Sequence, residues 1–210
     1  MSLICFDLDN TLVDSDRLHI LAFKKAFQDY NLPKVRDAVI RGLLSITSDL
    51  LVKKIFPELP KGEIRKVVES HNKYIVAYAK GLVKQFPGVK PTLIKIKERH
   101  RLGIVSNCSR KEIVAILGSA GISIGLFDVV VSDDRLKHGK PWPDGILKAG
   151  GLMQSKVDYM VGDSPYDVMA GKRAGCKTVA VLTGDFSRER LKKEKPDYII
   201  NSLKELLGVV

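Results

Sequence analysis

The feature that most constrains the fold is an alternation of short apolar, β-branched runs with longer stretches whose apolar residues recur at helical spacing. The apolar runs span residues 3–8, 102–106, 127–131, 157–161, 178–182 and 198–200. Strands that alternate with helices are typical of a parallel sheet covered by helices on both faces. We therefore predict an α/β fold with a Rossmann-like, doubly wound parallel sheet, which binds ligands at the carboxyl ends of its strands.

The first two strand candidates lie about ninety residues apart, whereas one crossover helix needs roughly a third as many. The intervening segment contains no strand-like run, and its apolar residues from Ile64 to Tyr78 repeat every three or four positions, as in an amphipathic helix. We predict that residues 14–84 form a small α-helical cap inserted into an α/β core of residues 1–13 and 85–210. The two junctions are expected to act as hinges.

The charge balance allows two interpretations. Lys and Arg number 35 against 24 Asp and Glu, which gives a formal net charge of +11. A basic nucleic-acid-binding domain is one possibility. However, basic and acidic residues alternate along the helix-like stretches, which favours solvated helix faces and an anionic substrate. We therefore expect no nucleic-acid partner.

The remaining composition predicts a soluble, cytoplasmic protein without a membrane partner. No apolar run approaches the roughly 20 residues that a bilayer-spanning helix needs, and the first residues do not form a signal peptide. The three cysteines, Cys5, Cys108 and Cys176, are far apart and do not show metal-ligand spacing. Buried thiols in a reducing compartment are expected.

Two aspartates, Asp7 and Asp9, stand at positions i and i+2 where the first apolar strand ends, so both side chains can point to the same side. Like charges this close require a cation or a shared proton. The pair therefore indicates a hard metal ion or acid–base chemistry. A turn or helix cap built from Asp and Asn is the alternative interpretation.

A second acidic junction follows the strand candidate 157–161, where Asp163 and Asp167 flank a proline suited to a first helical turn. Capping of that helix explains one carboxylate, but it does not explain acidic pairs at two strand ends of one sheet. Oxygen ligands from Asp7, Asp163 and Asp167 suit Mg²⁺, which uses few carboxylates and keeps several waters. We predict Mg²⁺ as the cofactor.

Two further junctions carry polar or basic residues. Ser106 and Asn107 end the strand candidate 102–106 just before a helix, where phosphate oxygens can bind, although Ser and Asn are also ordinary helix caps. Lys140 lies between a glycine and a proline, which predicts either a fixed cation or a surface turn. Each pattern by itself is weak.

In this order along the chain, the four elements resemble the signature of the haloacid dehalogenase superfamily, and the resemblance covers nearly the whole sequence. It implies that Asp7 is the nucleophile and that Asp9 is the general acid and base. It further implies that Ser106 and its neighbour Asn107 bind phosphate and that Lys140 is a catalytic lysine that balances charge and contacts the phosphate. The fold, activity and site roles of that superfamily are therefore expected here.

The same resemblance implies a metal site formed by Asp163 and Asp167 together with Asp7 and the backbone carbonyl of Asp9. The helical insert is similar to the cap of the phosphoglycolate phosphatase and β-phosphoglucomutase branch of the superfamily. Asn10 stands where many relatives have Gly, and Asn tolerates the left-handed backbone that this position requires. Activity is therefore expected to be kept.

Asp9 favours phosphate esters, because dehalogenases and phosphonatases of the superfamily lack the second aspartate. The resemblance implies an Mg²⁺-dependent phosphatase that hydrolyses a small phosphate monoester through an aspartyl-phosphate intermediate. A sugar phosphomutase remains the alternative, since His19 falls where mutases carry a cap-hinge histidine. The cap stretch that begins at Arg41 lacks the arginine that mutases place after the corresponding glycine, which favours hydrolysis.

Substrate choice in this branch depends on cap residues, of which His19 and Arg41 are predicted to contact the substrate. Ser45, Lys53 and Lys54 are further candidates. Phosphoglycolate, a sugar phosphate, a nucleoside monophosphate and pyrophosphate are all compatible with a small, positively charged pocket. We expect a small phosphorylated metabolite as partner and a monomer or homodimer as the oligomeric state.

Overall fold

A computed structural model describes residues 2–210, apart from the side chain of Arg135. The strands are β1 (Leu3–Phe6), β2 (Val13–Asp14), β3 (Lys84–Gln85), β4 (Arg101–Val105), β5 (Val129–Val131), β6 (Val157–Gly162), β7 (Lys177–Val181) and β8 (Tyr198–Ile200). The helices are α1 (Asp16–Asp29), α2 (Asp37–Arg41), α3 (Ser48–Ile55), α4 (Lys61–Leu82), α5 (Val89–Lys97), α6 (Arg110–Ser119), α7 (Asp144–Leu152), α8 (Pro165–Ala174) and α9 (Arg188–Lys192). Short 3-10 helices span Ile124–Leu126, Asp133–Arg135 and Leu203–Gly208.

Within the described residues, six strands form one parallel sheet in the order β5-β4-β1-β6-β7-β8. The chain builds one half of the sheet outward from β1 through β4 to β5, then crosses back to build the other half from β6. This arrangement confirms the predicted doubly wound α/β fold. Every residue of β1 is buried, as expected for a central strand with helices on both faces.

The register of the central strands brings three chain junctions together. Phe6 at the end of β1 aligns with Ile104 of β4 and with Val161 of β6. Because the strands are parallel, the loops that follow them leave the same edge of the sheet. This edge collects the polar residues that the sequence places after each strand.

Helices α1 to α4 lie between β2 and β3, which pair as a short antiparallel ribbon. Val13 lies opposite Gln85, and Asp14 opposite Lys84. The sequence analysis predicted hinges here and missed the ribbon, because two residues per strand give no detectable alternation. The division into residues 1–13 plus 85–210 and residues 14–84 stays a prediction.

The helical segment has an apolar cluster of its own, in which Phe27 and Phe56 meet edge to face with ring centroids 5.1 Å apart. Leu18 of α1 and Ile75 of α4 instead join the large cluster that contains the sheet residues. Helices α1 and α4 therefore contribute residues both to the cluster of the helical segment and to the large cluster that contains the sheet residues.

No helix in the described part of the chain is long and apolar enough to cross a membrane. Cys5, Cys108 and Cys176 are buried free thiols.

Candidate active site

The loop after β1 turns sharply and carries both predicted aspartates. Asp7 continues the sheet pattern through its backbone N–H, which donates to Val161 O at 2.9 Å. Asn10 then adopts a left-handed conformation with φ of 55°, which the sequence analysis expected of this residue. The Thr183 hydroxyl donates to Asn10 O at 2.5 Å and fastens the turn to the loop after β7.

Lys140 is buried and reaches two carboxylates. Its Nζ lies 2.7 Å from Asp7 Oδ1 and 2.6 Å from Asp167 Oδ1. Burial by itself would lower the pKa of Lys140, but the charges of Asp167 and Asp7 raise it, so the amine is protonated. Of the two sequence interpretations of Lys140, the structure shows the fixed cation.

Asp163 and Asp167 follow β6 and are buried. Asp167 completes a capping box at the start of α8, where its Oδ2 accepts from the Ser164 N–H at 3.1 Å. Two glycines make room for these carboxylates. A Cβ at Gly162 would lie 2.2 Å from Asp167 Cγ, and one at Gly184 would lie 2.0 Å from Asp163 Oδ2. Larger residues at either position would displace the acids.

Carboxylate oxygens of Asp7, Asp163 and Asp167 lie within 4.8 Å of one another, as ligands of one cation would. Burial raises the pKa of Asp7 to about 7, with Lys140 opposing and Asp167 adding to the rise. Burial also raises the pKa of Asp163 well above its ordinary value. Uncompensated negative charge and hard oxygen donors fit a divalent cation such as Mg²⁺.

The three acids are not equally available to that cation. Asp167 uses Oδ1 on Lys140 and Oδ2 on Ser164. Asp163 is oriented by the Thr11 hydroxyl, which donates to its Oδ1 at 3.0 Å. Asp7 and Asp163 therefore offer the more accessible oxygens, and Asp167 chiefly positions Lys140.

Ser106 and Asn107 lie at the end of β4 and face the same cavity. The buried Ser106 Oγ accepts from the Cys108 N–H at 3.1 Å, which leaves its hydroxyl proton able to donate to a phosphate oxygen. The Asn107 amide instead donates to Ser45 O at 3.3 Å and to Lys140 O at 3.4 Å. Asn107 thus links the end of β4 to the cap at Ser45 and to the Lys140 loop.

Asp9 is surrounded by hydrogen-bond donors. Its Oδ1 accepts from the Ser15 hydroxyl at 2.5 Å and lies 3.2 Å from His19 Nε2. Its Oδ2 lies 3.1 Å from Cys108 Sγ. Burial would raise the pKa of Asp9, but the His19 charge and these hydrogen bonds lower it to about 2. Burial would lower the pKa of His19, but the charge and hydrogen bond of Asp9 raise it, which favours a protonated imidazole beside the Asp9 carboxylate.

Behind His19 lies a second buried layer that the sequence analysis missed. His19 Nδ1 is 3.3 Å from His71 Nε2, and His71 Nδ1 is 3.5 Å from Glu112 Oε1. Burial and the neighbouring His19 lower the pKa of His71 to about 3, so this ring is neutral. Ser109 and Glu112 form a capping box at the start of α6, and this spacing in the sequence could have indicated the position of Glu112. His71 was predicted only as part of the apolar stripe of a helix.

The cavity enclosed between core and cap has a volume of about 40 Å³. Its cap-side lining combines apolar and hydroxyl side chains from Phe23, Leu44, Ser45, Ile46, Ser48 and Leu51. Lys140 is the one lysine or arginine among the described lining residues. Lys140 of the core therefore supplies a fixed positive charge to a ligand, and His19 on the cap side is the other lining residue that can carry one.

Of the cap residues predicted to contact the substrate, some line the cavity in the structure and others do not. His19 and Ser45 line the cavity. Arg41 instead extends to Asp16, with Nη1 2.7 Å from Oδ2 of that cavity-lining acid. Lys53 contacts the backbone of the loop after α3, and Lys54 is exposed. Ser48, which the sequence analysis did not select, does reach the cavity.

A doubly wound sheet with buried carboxylates, a fixed lysine and a serine at its strand ends, closed by helices, defines a capped α/β enzyme. The model of haloacid dehalogenase-like hydrolases matches residues 4–181. The chain belongs to this family, and it is a hydrolase of the phosphatase kind.

Individual relatives agree with this assignment. A pyrophosphatase PpaX from Oceanobacillus iheyensis is 29% identical over 210 residues, which cover 99% of this chain and 95% of the relative. The solved structure of a predicted phosphoglycolate phosphatase from Haemophilus somnus superposes with a TM-score of 0.85 at 27% identity, covering 100% and 97% of the two chains. A hydrolase from Pseudomonas syringae shares the fold with a TM-score of 0.87 at 23% identity, covering 99% and 96%.

Proposed function

We propose that this chain is an Mg²⁺-dependent phosphatase that hydrolyses a small phosphate compound through an aspartyl-phosphate at Asp7. The observation that carries the proposal is the pairing of Asp7 Oδ1 with the buried Lys140 Nζ at 2.7 Å, in a cavity that Ser106 also lines. A carboxylate beside a fixed cation can act as a nucleophile toward a phosphoryl group whose charge that cation offsets.

The carboxylates of Asp7 and Asp163 would hold Mg²⁺, with Asp167 and the backbone carbonyl of Asp9 as the further predicted ligands. When bound, the ion supplies positive charge that offsets the charge on the transferred phosphoryl oxygens. The raised pKa values of Asp7 and Asp163 support this assignment, because they show acids whose negative charge the protein alone does not balance.

The chain's own residues supply the rest of the reaction. Asp7 attacks phosphorus while Lys140 and the Ser106 hydroxyl hold the phosphoryl oxygens. The bond to the leaving oxygen breaks, and that oxygen takes a proton from Asp9, which receives it from His19. Water then attacks the aspartyl-phosphate and gives a proton back to Asp9, so free phosphate leaves and the Asp9–His19 pair regains its proton.

The small cavity supports a small substrate. A volume of about 40 Å³ is far below the roughly 300 Å³ at which pockets for larger ligands begin. The PpaX relative supports pyrophosphate, while the Haemophilus somnus structure supports a monoester such as phosphoglycolate. We propose these two as the first substrates to compare. Among the described lining residues the cap adds no lysine or arginine for a second sugar phosphate, which supports hydrolysis over the mutase alternative.

The test is phosphate release from pyrophosphate, phosphoglycolate and β-glucose 1-phosphate, each with Mg²⁺ and with EDTA. We expect Mg²⁺-dependent release that Asp7→Asn abolishes. Asp14→Asn is the matched control, because Asp14 is an exposed acid at the nearby ribbon. Release that continues in EDTA or in Asp7→Asn would contradict the proposal.

We further propose that the enzyme works in the cytoplasm on a free metabolite, as a monomer or homodimer, and does not bind nucleic acid. Filter binding of labelled RNA and DNA tests the expected lack of nucleic-acid binding, at low salt, where electrostatic binding is strongest. Retention that falls steeply with added salt would contradict it.

A further inference from the structure

Three side chains of different chemistry meet on the cavity wall: Asp9, His19 and Cys108. His19 Nε2 lies 3.2 Å from Asp9 Oδ1, and Cys108 Sγ lies 3.1 Å from Asp9 Oδ2. One ligand atom from each residue lies within 4.8 Å of the other two. All three residues line the cavity, so an ion that enters it can reach them. The proposed reaction uses Asp9 and His19 and leaves Cys108 without a role.

We propose that the side chains of Asp9, His19 and Cys108 form an inhibitory site for a thiophilic divalent cation of the zinc class. Its ligand atoms differ from those of the magnesium site, to which Asp9 is predicted to give only its backbone carbonyl. Carboxylate, imidazole and thiolate are the donor types that Zn²⁺ prefers. Bonds of roughly 2.0–2.3 Å around a tetrahedral ion place the ligand atoms about 3.3–3.7 Å apart. The separations of 3.2 Å and 3.1 Å involve different oxygens of Asp9, and one ligand atom from each residue lies within 4.8 Å of the other two. Binding would therefore draw the ligand atoms together by up to about 1 Å.

Because all three residues line the cavity, a fourth coordination position would be open to water or a phosphate oxygen. Because Cys108 contributes sulfur, this site should prefer different metal ions from the acidic cluster around Asp7. Mg²⁺ binds oxygen donors, whereas thiolate selects softer ions. Magnesium in excess is therefore not expected to displace a zinc-class ion from Cys108.

A buried second layer already orients the histidine for this role. Metal-bound histidines usually donate their other ring N–H to a fixed acceptor. His19 Nδ1 lies 3.3 Å from His71 Nε2, and His71 in turn lies 3.5 Å from Glu112. Binding would release the Nε2 proton of His19 and the thiol proton of Cys108 to solvent. The proton that remains on Nδ1 would then be donated to His71.

Occupation of this site would stop catalysis because a metal-bound Asp9 can neither give nor accept a proton. This inhibitory consequence rests on the proposed function. Metal binding does not depend on the proposed function, so binding and inhibition are measured in separate experiments.

The binding experiment titrates Co²⁺ into the metal-free full chain and follows the sulfur-to-metal charge-transfer absorption in the near ultraviolet. We expect the band in the unmodified chain and its loss in Cys108→Ser. Cys176→Ser is the matched control, because Cys176 is also buried but donates to Gly171 O, away from the cavity. A band that is absent from the unmodified chain, or that persists in Cys108→Ser, would overturn the site.

A second variant keeps the sulfur and tests the supporting layer. His71→Gln should retain the charge-transfer band but weaken Co²⁺ binding by about 10- to 100-fold, as losses of such supporting partners do. Circular dichroism and the melting temperature establish that each variant is folded. Unchanged affinity in folded His71→Gln would contradict the supporting role.

The inhibition experiment titrates Zn²⁺ against turnover at saturating Mg²⁺, with each variant compared with its own zinc-free rate. We expect the half-inhibiting Zn²⁺ concentration to rise at least about tenfold in Cys108→Ser and to stay unchanged in Cys176→Ser. Equal sensitivity in all three proteins would place zinc at the magnesium ligands and overturn the inhibitory role. If no turnover exists, the proposed function fails, while the Co²⁺ titration still decides the binding site.

Discussion

The core and the cap line the same cavity with opposite kinds of surface. The core contributes buried charged groups that hold one another in place, as Lys140 does between Asp7 and Asp167. The cap contributes mainly leucines, an isoleucine, a phenylalanine and two serines to the described lining, with Asp16 and His19 as its ionisable residues. Most of the ionisable groups at the cavity therefore lie in the core, and we expect the cap to select which molecule fits.

Of the two ionisable cap-side residues that line the cavity, Asp16 and His19, it is His19 that contacts the core acid Asp9, at 3.2 Å. His71 of α4 and Glu112 of α6 extend this contact, so that the series runs from the core to the cap and back to the core. His19, the proposed proton donor to Asp9, thus lies at the boundary between the cap and the core. Closure of the cap can complete the acid–base pair as well as exclude water.

The largest expected effect is the loss of the core nucleophile. Asp7→Asn removes the attacking carboxylate but keeps its shape, so turnover should fall by at least about 10⁴-fold while the chain stays folded. Steady-state phosphate release and circular dichroism measure the two quantities. Residual activity within tenfold of the unmodified enzyme would remove Asp7 from the mechanism.

Asp9→Asn should lower kcat by about 10²- to 10⁴-fold, because an amide cannot transfer the proton. KM should change less, since Asp9 acts on the leaving oxygen rather than in ground-state binding. Kinetics with p-nitrophenyl phosphate sharpen this prediction, because its good leaving group needs less protonation and should suffer a smaller loss. Equal losses for all leaving groups would argue against Asp9 as the general acid.

Lys140→Met tests whether the core site is also a structural unit. Removing the cation leaves Asp7 and Asp167 buried without their partner, which should lower the free energy of unfolding by about 3–5 kcal/mol. Lys24→Met is the control, because its ion pair with Asp37 is exposed and worth about 0–1 kcal/mol. Urea unfolding compares them, and equal losses would contradict the distinction.

The pH dependence of stability tests the charge balance of the core. In metal-free protein the pKa of Asp7 is about 7, against an ordinary value of 3.8 in the unfolded chain. The folded state then binds more protons between these values, so stability falls as pH rises from about 4 to about 7. Bound Mg²⁺ would offset the negative charge of the ionised Asp7 carboxylate, so the stabilisation by Mg²⁺ should increase with pH. Melting curves at about pH 5.5 and about pH 8, with Mg²⁺ and with EDTA, measure this. A constant Mg²⁺ effect would contradict it.

The smallest effect is expected in the cap. Ser48→Ala removes one cavity hydroxyl, and a hydrogen bond of about 1 kcal/mol corresponds to a change of about fivefold in KM. The change should differ between pyrophosphate and phosphoglycolate and leave kcat nearly constant. Competition between the two substrates measures the preference. A loss of kcat as large as that of Asp9→Asn would make the cap part of the chemistry.

The sequence was most informative where chemistry and local structure coincide. Asp7, Ser106 and Asp163 each follow a buried strand, and parallel strands carry such residues to one edge whatever the details of packing. Lys140 could be placed by its order in the motif, although its two carboxylate partners could not. The strand alternation was sufficient for the fold because each strand is a short run of buried residues.

The cap was harder to predict because its cavity face depends on how separate helices pack. Arg41 was selected for its charge, but Asp16 on α1 holds it at 2.7 Å. Ser48 and His71 point inward because α3 and α4 pack against other elements in a way that no local pattern specifies. The contact of Cys108 with Asp9 joins residues from two different strand ends, and its spacing in the sequence gave no indication of it.

The proposed mechanism requires Asp7 to carry the phosphoryl group during turnover. Acid quenching of the enzyme during steady-state hydrolysis, followed by peptide mass spectrometry, measures this directly. We expect the peptide containing Asp7 to gain the mass of one phosphoryl group in the presence of Mg²⁺, and Asp9→Asn to accumulate more of it. A phosphoryl group found on another residue, or continued turnover with no modified peptide in either protein, would exclude Asp7 as the nucleophile.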